Sequence, residues 1–166
     1  MNDNSFDVDA VLLAYSDTVY KIALARTGNR NDADDIFQEV FLRLVKHINK
    51  ISSEEHMKSW LIRVTINCCK NHFRSWRNNT VSLSDLNAEL TVDFTPEESG
   101  IYQAVLRLPA KYRDVVHLFY YEELPIKEIS EILKRKESTV KSQLSRGREK
   151  LKSILEEDIA DENKNR

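Results

Sequence analysis

The chain has 166 residues, of which 41% are hydrophobic and 31% charged, with three glycines and three prolines. That leaves room for one ordinary domain or two small ones and enough apolar material for a core, but little of the turn chemistry an all-β chain needs, so an all-α fold is expected. A formal net charge of −2, from 25 basic and 27 acidic residues, excludes a protein that coats nucleic acid by bulk attraction.

A first helix, about Val8 to Arg26, is predicted from Val11, Tyr15, Val19, Ile22 and Ala23 on one face. The segment Met1 to Tyr20 holds four aspartates and no Lys or Arg, unlike the basic start of a secretory signal, and nowhere do 18 apolar residues run together. A cytoplasmic protein without membrane insertion is expected. Thr27-Gly28-Asn29-Arg30-Asn31 supplies a Gly stop and an Asn suited to cap the next helix. From about Asp32 to Asn49, Ala33, Ile36, Phe37, Val40, Phe41, Leu44, Val45 and Ile48 follow the i, i+3, i+4, i+7 rule without a gap.

A third helix, about Glu54 to Arg77, carries two adjoining stripes. Ile62, Ile66, Cys69, Phe73 and Trp76 form the apolar one, widened by Leu61, Val64 and Cys68; Arg63, Asn67, Lys70, Arg74 and Arg77 form a cationic one. A solvated face usually mixes charge signs to gain i, i+4 pairs of about 0.2–0.5 kcal/mol each, and this edge forgoes them, which suits phosphates. Asn67 lies inside the row, where an amide can offer donor and acceptor to a base edge. Cys68 and Cys69, the two cysteines, have neither disulfide nor zinc spacing and read as buried thiols.

From Asn78 to Gly100 the periodicity stops, and Ser82 to Glu98 holds five acids and no Lys or Arg. This reads as an acidic flexible linker, residues 79–100, between a domain at 1–78 and one at 101–158, with a tail at 159–166. Helical patterns resume at about Ile101 to Leu108, Ala110 to Tyr121 after Pro109, Ile126 to Leu133 after Pro125, and Ser138 to Leu155. The last two make a helix-turn-helix whose second helix suits a major groove. Its apolar side has Val140, Leu144, Gly147, Leu151 and Ile154; Ser138, Thr139, Lys141, Ser142, Ser145, Arg146 and Arg148 alternate hydroxyls with cations on the polar side. Lys134 to Lys152 holds eight cations against two acids.

Taken together these residues resemble bacterial sigma-70-type factors of the extracytoplasmic-function (ECF) group. The resemblance rests on Asp34-Asp35-Ile36-Phe37-Gln38-Glu39-Val40-Phe41-Leu42, on Trp60-Leu61-Ile62-Arg63 followed by Asn67, and on Leu108-Pro109-Ala110-Lys111-Tyr112-Arg113-Asp114-Val115. It continues through Ile129-Ser130-Glu131-Ile132-Leu133 and Ser138-Thr139-Val140-Lys141-Ser142-Gln143-Leu144-Ser145-Arg146-Gly147-Arg148. It implies a three-helix region 2 joined to a helix-turn-helix region 4. Asp35, Gln38, Glu39 and Phe41 would meet core RNA polymerase. Ile51, Ser52, Ser53, Arg63, Asn67, Lys70 and Arg74 would meet the minus-10 element of promoter DNA, with a base drawn from the stack. Thr139, Lys141, Ser142, Ser145, Arg146 and Arg148 would meet the minus-35 element, Thr139 and Arg148 toward phosphate, while the other face of region 4 docks on the polymerase flap. An anti-sigma factor, often membrane-attached in this group, is an implied partner.

Two departures from the family pattern stand out. The loop Ile51-Ser52-Ser53-Glu54-Glu55 lacks the Phe-Arg-Gly common in relatives. Lys134 stands where the turn often has Gly, and Arg135 where an apolar residue is usual. A left-handed Lys costs about 1 kcal/mol over Gly, so a displaced turn or a longer preceding helix is expected.

The competing reading is a self-sufficient helix-turn-helix regulator that binds a palindrome as a dimer. An enzyme is the distant third: His47, His56, His72 and His117 are scattered, and no phosphate loop or nucleophile-base set is visible. No catalytic residue, cofactor or metal site is expected.

Overall fold

A computed structural model describes residues 6–79 and 100–166, with the side chains of 76–79 excepted. The expected linker falls on or beside the residues outside this range, as do its acidic cluster and the side chains of Trp76 and Arg77. The chain divides into two compact units, Met1–Asp93 and Phe94–Arg166, and every described element is helical.

In the first unit α1 (Val8–Thr27), α2 (Arg30–His47) and α3 (Glu54–Asn79) pack on one another pairwise. The α1–α2 corner follows from two residues. Gly28 takes φ 73° and closes α1 through its N–H to the Leu24 carbonyl. Asn29 then caps α2, its Oδ1 accepting from the Asp32 N–H at 2.8 Å. The core joins Val11, Val19 and Ala23 to Ala33, Ile36, Val40 and Leu44 and to Met57 and Leu61. Thr65 is fully buried and its hydroxyl is satisfied, donating to the Leu61 carbonyl at 2.6 Å. Cys68 and Cys69 are free and buried. Val45, expected in the stripe, is 56% exposed, because it projects at the rim of the α2 apolar sector. A 3₁₀ turn, Ile48–Lys50, ends α2.

The second unit holds α4 (Gly100–Leu106), α5 (Ala110–Val116), a π-helical turn (His117–Tyr121), α6 (Ile126–Leu133) and α7 (Glu137–Lys164). The single helix expected from Ala110 to Tyr121 is thus α5 followed by the π turn, a widening that apolar periodicity does not report. The turn buries His117 beside Glu122, Nε2 to Oε1 3.5 Å, with the His117 ring stacked on Tyr121. Gly147 lets α5 and α7 cross closely, since a Cβ there would sit 2.8 Å from Val116 Cγ2. Helix α7 outruns its expected end and takes in most of the tail: its apolar stripe stops, but the Arg107–Asp158 pair at 2.7 Å ties its second half to the end of α4.

Lys134 adopts φ 53°, ψ 49° and caps α6 at Leu133, the expected last residue. The turn is therefore neither displaced nor preceded by a longer helix. The Arg135 N–H bonds the Ser130 carbonyl at 3.0 Å across it, and the left-handed Lys is held in place.

Candidate nucleic-acid and polymerase interfaces

On α2, Asp35, Gln38 and Glu39 are exposed, whereas Phe41 is 8% exposed and packs on Phe37 with ring centroids 4.7 Å apart. Phe41 supports the face from behind; the apolar side chain that shares the outward sector is Leu42, 60% exposed. Helical projection alone separates them, since residue 41 lies about 120° round the helix from 35 and residue 42 about 20° from it. Glu39 has an internal partner: Arg43 Nε donates to its Oε1 at 2.7 Å. Asp35 and Glu39 border a dent of about 230 Å³ together with Ile36, Arg43, Cys68, Asn71 and His72. The Glu39 hydrogen bond holds Arg43 more firmly protonated, and burial pushes the Cys68 thiol up, partly offset by Arg43.

Along α3, Arg63, Asn67, Lys70 and Arg74 are all exposed, with Leu61, Ile62, Ile66, Cys68 and Cys69 buried on the other side. The cationic row is thus presented as one edge of a helix anchored along its length. At its start, Ile51 is 4% exposed and its side chain belongs to the core rather than to the surface. Ser52 and Ser53 are exposed and cap the helix: the His56 N–H donates to Ser53 Oγ at 3.1 Å, and the Ser52 N–H donates to His56 Nδ1 at 3.3 Å. Half-buried Trp60 lies against His47, ring centroids 5.9 Å apart, and shapes this corner.

In the second unit, Val140, Leu144 and Gly147 bury one side of α7 and leave Lys141, Ser142, Ser145 and Arg146 exposed on the other. Thr139, Ser142 and Arg146 converge with Lys111, Tyr112, Ser138 and Gln143 around a hollow of about 320 Å³. Lys111 and Gln143 were not among the expected contacts; the first belongs to another helix, which spacing along α7 cannot reveal. Arg148 departs from the group. Its Nε donates to the Tyr120 hydroxyl at 2.5 Å and its guanidinium lies over the rings of Phe119 and Tyr120. These rings hold it away from the hollow, on the rim of a largely apolar groove of about 510 Å³ between α4, the π turn and α7, where Ile101, Val105, Val116, Tyr120, Leu151 and Leu155 meet.

Among the described residues, no group of His, Cys, Asp and Glu could hold a metal, and no helix is long and apolar enough to cross a membrane.

Comparison with known proteins assigns both units. Residues 11–78 match Sigma-70 region 2 and residues 99–151 match Sigma-70, region 4. The chain is 31% identical over 158 residues to the ECF RNA polymerase sigma factor SigW of Bacillus subtilis strain 168, covering 85% of this chain and 84% of that one. It is 29% identical over 164 residues to SigM of the same organism, covering 93% and 99%. In fold it is similar to the sigma factor RpoE solved in complex with the anti-sigma factor NepR from Bartonella quintana, with a TM-score of 0.74 at 18% identity over 89% of this chain and 96% of that one. The chain belongs to the ECF sigma factors, non-catalytic proteins that associate with RNA polymerase and serve promoter recognition in transcription.

Proposed function

We propose that the first unit meets the polymerase core through the outward sector of α2 and the minus-10 element through the α3 row, and that α7 reads the minus-35 duplex. The contacts on α2 would be Asp35, Gln38, Glu39 and Leu42. On α3, Arg63, Lys70 and Arg74 would guide phosphates while Asn67 meets a base, with Ser52 and Ser53 at the helix start. The cost of unstacking a base, a few kcal/mol, must be returned by such contacts, which favours an edge already held in place by a packed core. On α7, Lys141, Ser142, Ser145 and Arg146 would face the groove and Thr139 a phosphate.

The observation that carries this reading is the convergence of Thr139, Ser142 and Arg146 with Lys111 and Ser138 on one hollow at the start of a helix whose other side is locked by Val140, Leu144 and Gly147. Arg148, engaged by aromatic rings, is assigned instead to the apolar groove. That groove suits the flap of the polymerase, and an anti-sigma partner would act by covering this face or the α2 sector. Each DNA reader is small and the whole chain is near neutral, so binding gains strength when polymerase fixes both at a set spacing.

Run-off transcription with core polymerase tests the reading. A transcript that requires this chain and both promoter elements is expected; no promoter-dependent transcript with any cognate promoter would remove it.

A further inference from the structure

Arg135, in the turn between α6 and α7, joins three elements. Its Nη1 donates to the Lys111 carbonyl on α5 at 3.2 Å and to Gln143 Oε1 on α7 at 2.9 Å, and its Nη2 lies 3.7 Å from Asp114 Oδ2 on α5. The side chain is one-quarter exposed and that of Asp114 less than one-tenth. Gln143 lines the hollow at the start of α7 with Thr139, Ser142 and Arg146. A guanidinium carries donors alone, so Gln143 can face it only with its oxygen; flipping the amide would set N–H against N–H. The charge-assisted bond to Arg135 therefore fixes the amide orientation, and what Gln143 chiefly offers elsewhere is its Nε2 donor pair.

That matters for sequence choice. An unrestrained Gln pairs with adenine in the major groove through both ends of its amide, giving a hydrogen bond to N7 and taking one from N6. With Oε1 turned to Arg135 and one of its two lone pairs used there, the accepting half is drawn away from a base, while the Nε2 donors are not. Guanine, with O6 and N7, and thymine, with O4, present acceptors that a donor pair can meet.

We propose that Arg135 is a positioning residue that makes Gln143 act chiefly as a donor, so that the promoter position beneath it favours guanine or thymine over adenine. This rests on the reading of α7 as the minus-35 helix. A phosphate oxygen is also an acceptor, but a phosphate contact would yield no base preference, and the test separates the two.

The experiment uses holoenzyme assembled from core polymerase and this chain, with each minus-35 position of a cognate promoter randomised and transcripts counted by sequence. The wild type is expected to favour guanine or thymine at one position, and Gln143→Ala to flatten that preference to within about twofold. Arg135→Leu is expected to move that position toward adenine by about tenfold while the others keep their order. Gln143→Glu keeps a partner for Arg135 yet brings no donor, and is expected to turn the position toward cytosine, whose N4 donates; it carries the test should Arg135→Leu unfold. Base preferences unchanged in Gln143→Ala, or lost equally at all positions in Arg135→Leu with Gln143→Glu like the wild type, would overturn the proposal. A wild-type holoenzyme indifferent to every minus-35 base would remove the α7 reading itself, and this inference with it.

Discussion

The two units each present one long helix, but they hold it differently. Helix α3 is buried along most of its described length, from Met57 through Cys69, against two partners, and its exposed edge repeats one charge sign. Helix α7 buries only Val140, Leu144 and Gly147 near its start, then runs on mostly exposed to Lys164, with i, i+4 and i, i+3 ion pairs Lys152–Glu156 and Asp161–Lys164 along it. The difference fits the roles proposed for the two helices. On the proposed reading, an edge that pulls a base from a duplex must not yield when loaded, whereas a helix that enters an intact groove needs only its first turns fixed.

The comparison breaks most visibly in the cores. Leu44→Ala or Leu61→Ala, at fully buried sites of the first unit, is expected to cost about 2–5 kcal/mol. Cys68 and Cys69 lie in that unit and the second has no cysteine, so alkylation of native protein reports the first unit alone. Both thiols should be protected in the wild type and react much faster in these variants; equal labelling rates would contradict the packing described. In the second unit, Gly147→Leu should cost about 1–3 kcal/mol by forcing α7 off Val116, lowering its melting transition without changing thiol labelling.

Charge sharpens the contrast. Lys70→Ala with Arg74→Ala should weaken promoter binding by holoenzyme and reduce the logarithmic salt slope by about 1.5–2, while thermal stability stays within about 0.5 kcal/mol per site. An unchanged slope would show that the α3 row faces something other than phosphate. Lys134→Gly, which removes a left-handed Lys, is expected to stabilise the second unit by about 1 kcal/mol in thermal unfolding. Asp158→Asn removes a pair that is about half exposed and should cost no more than about 1 kcal/mol.

Much of this was legible in the sequence, for reasons that also mark where legibility ends. The start of α1 and the Gly28-Asn29 corner follow from periodicity and capping chemistry, which are local; the span of α6 follows from periodicity, but the displaced turn expected at Lys134 does not occur, since Lys134 takes the left-handed conformation and caps α6. The edge formed by Arg63, Asn67, Lys70 and Arg74 was visible because four residues share one helix. The burial of Phe41 and Ile51 was not legible, because a family motif records which residues recur and not which way each points. The hold of Tyr120 and Phe119 on Arg148 was not legible either, since these rings lie 28 and 29 residues earlier, in the π turn. The clasp of Arg135 on Lys111, Asp114 and Gln143 spans up to 24 residues and has no periodic signature.

The central claim, that two small readers gain strength and choice from a shared rigid partner, is tested most directly by measuring promoter binding with and without core polymerase while the spacer between the minus-35 and minus-10 elements is varied base by base. The account predicts weak, spacing-insensitive binding by the chain alone and a sharp optimum spacing once polymerase is added. Tight binding by the free chain, or holoenzyme binding that ignores the spacer, would contradict it.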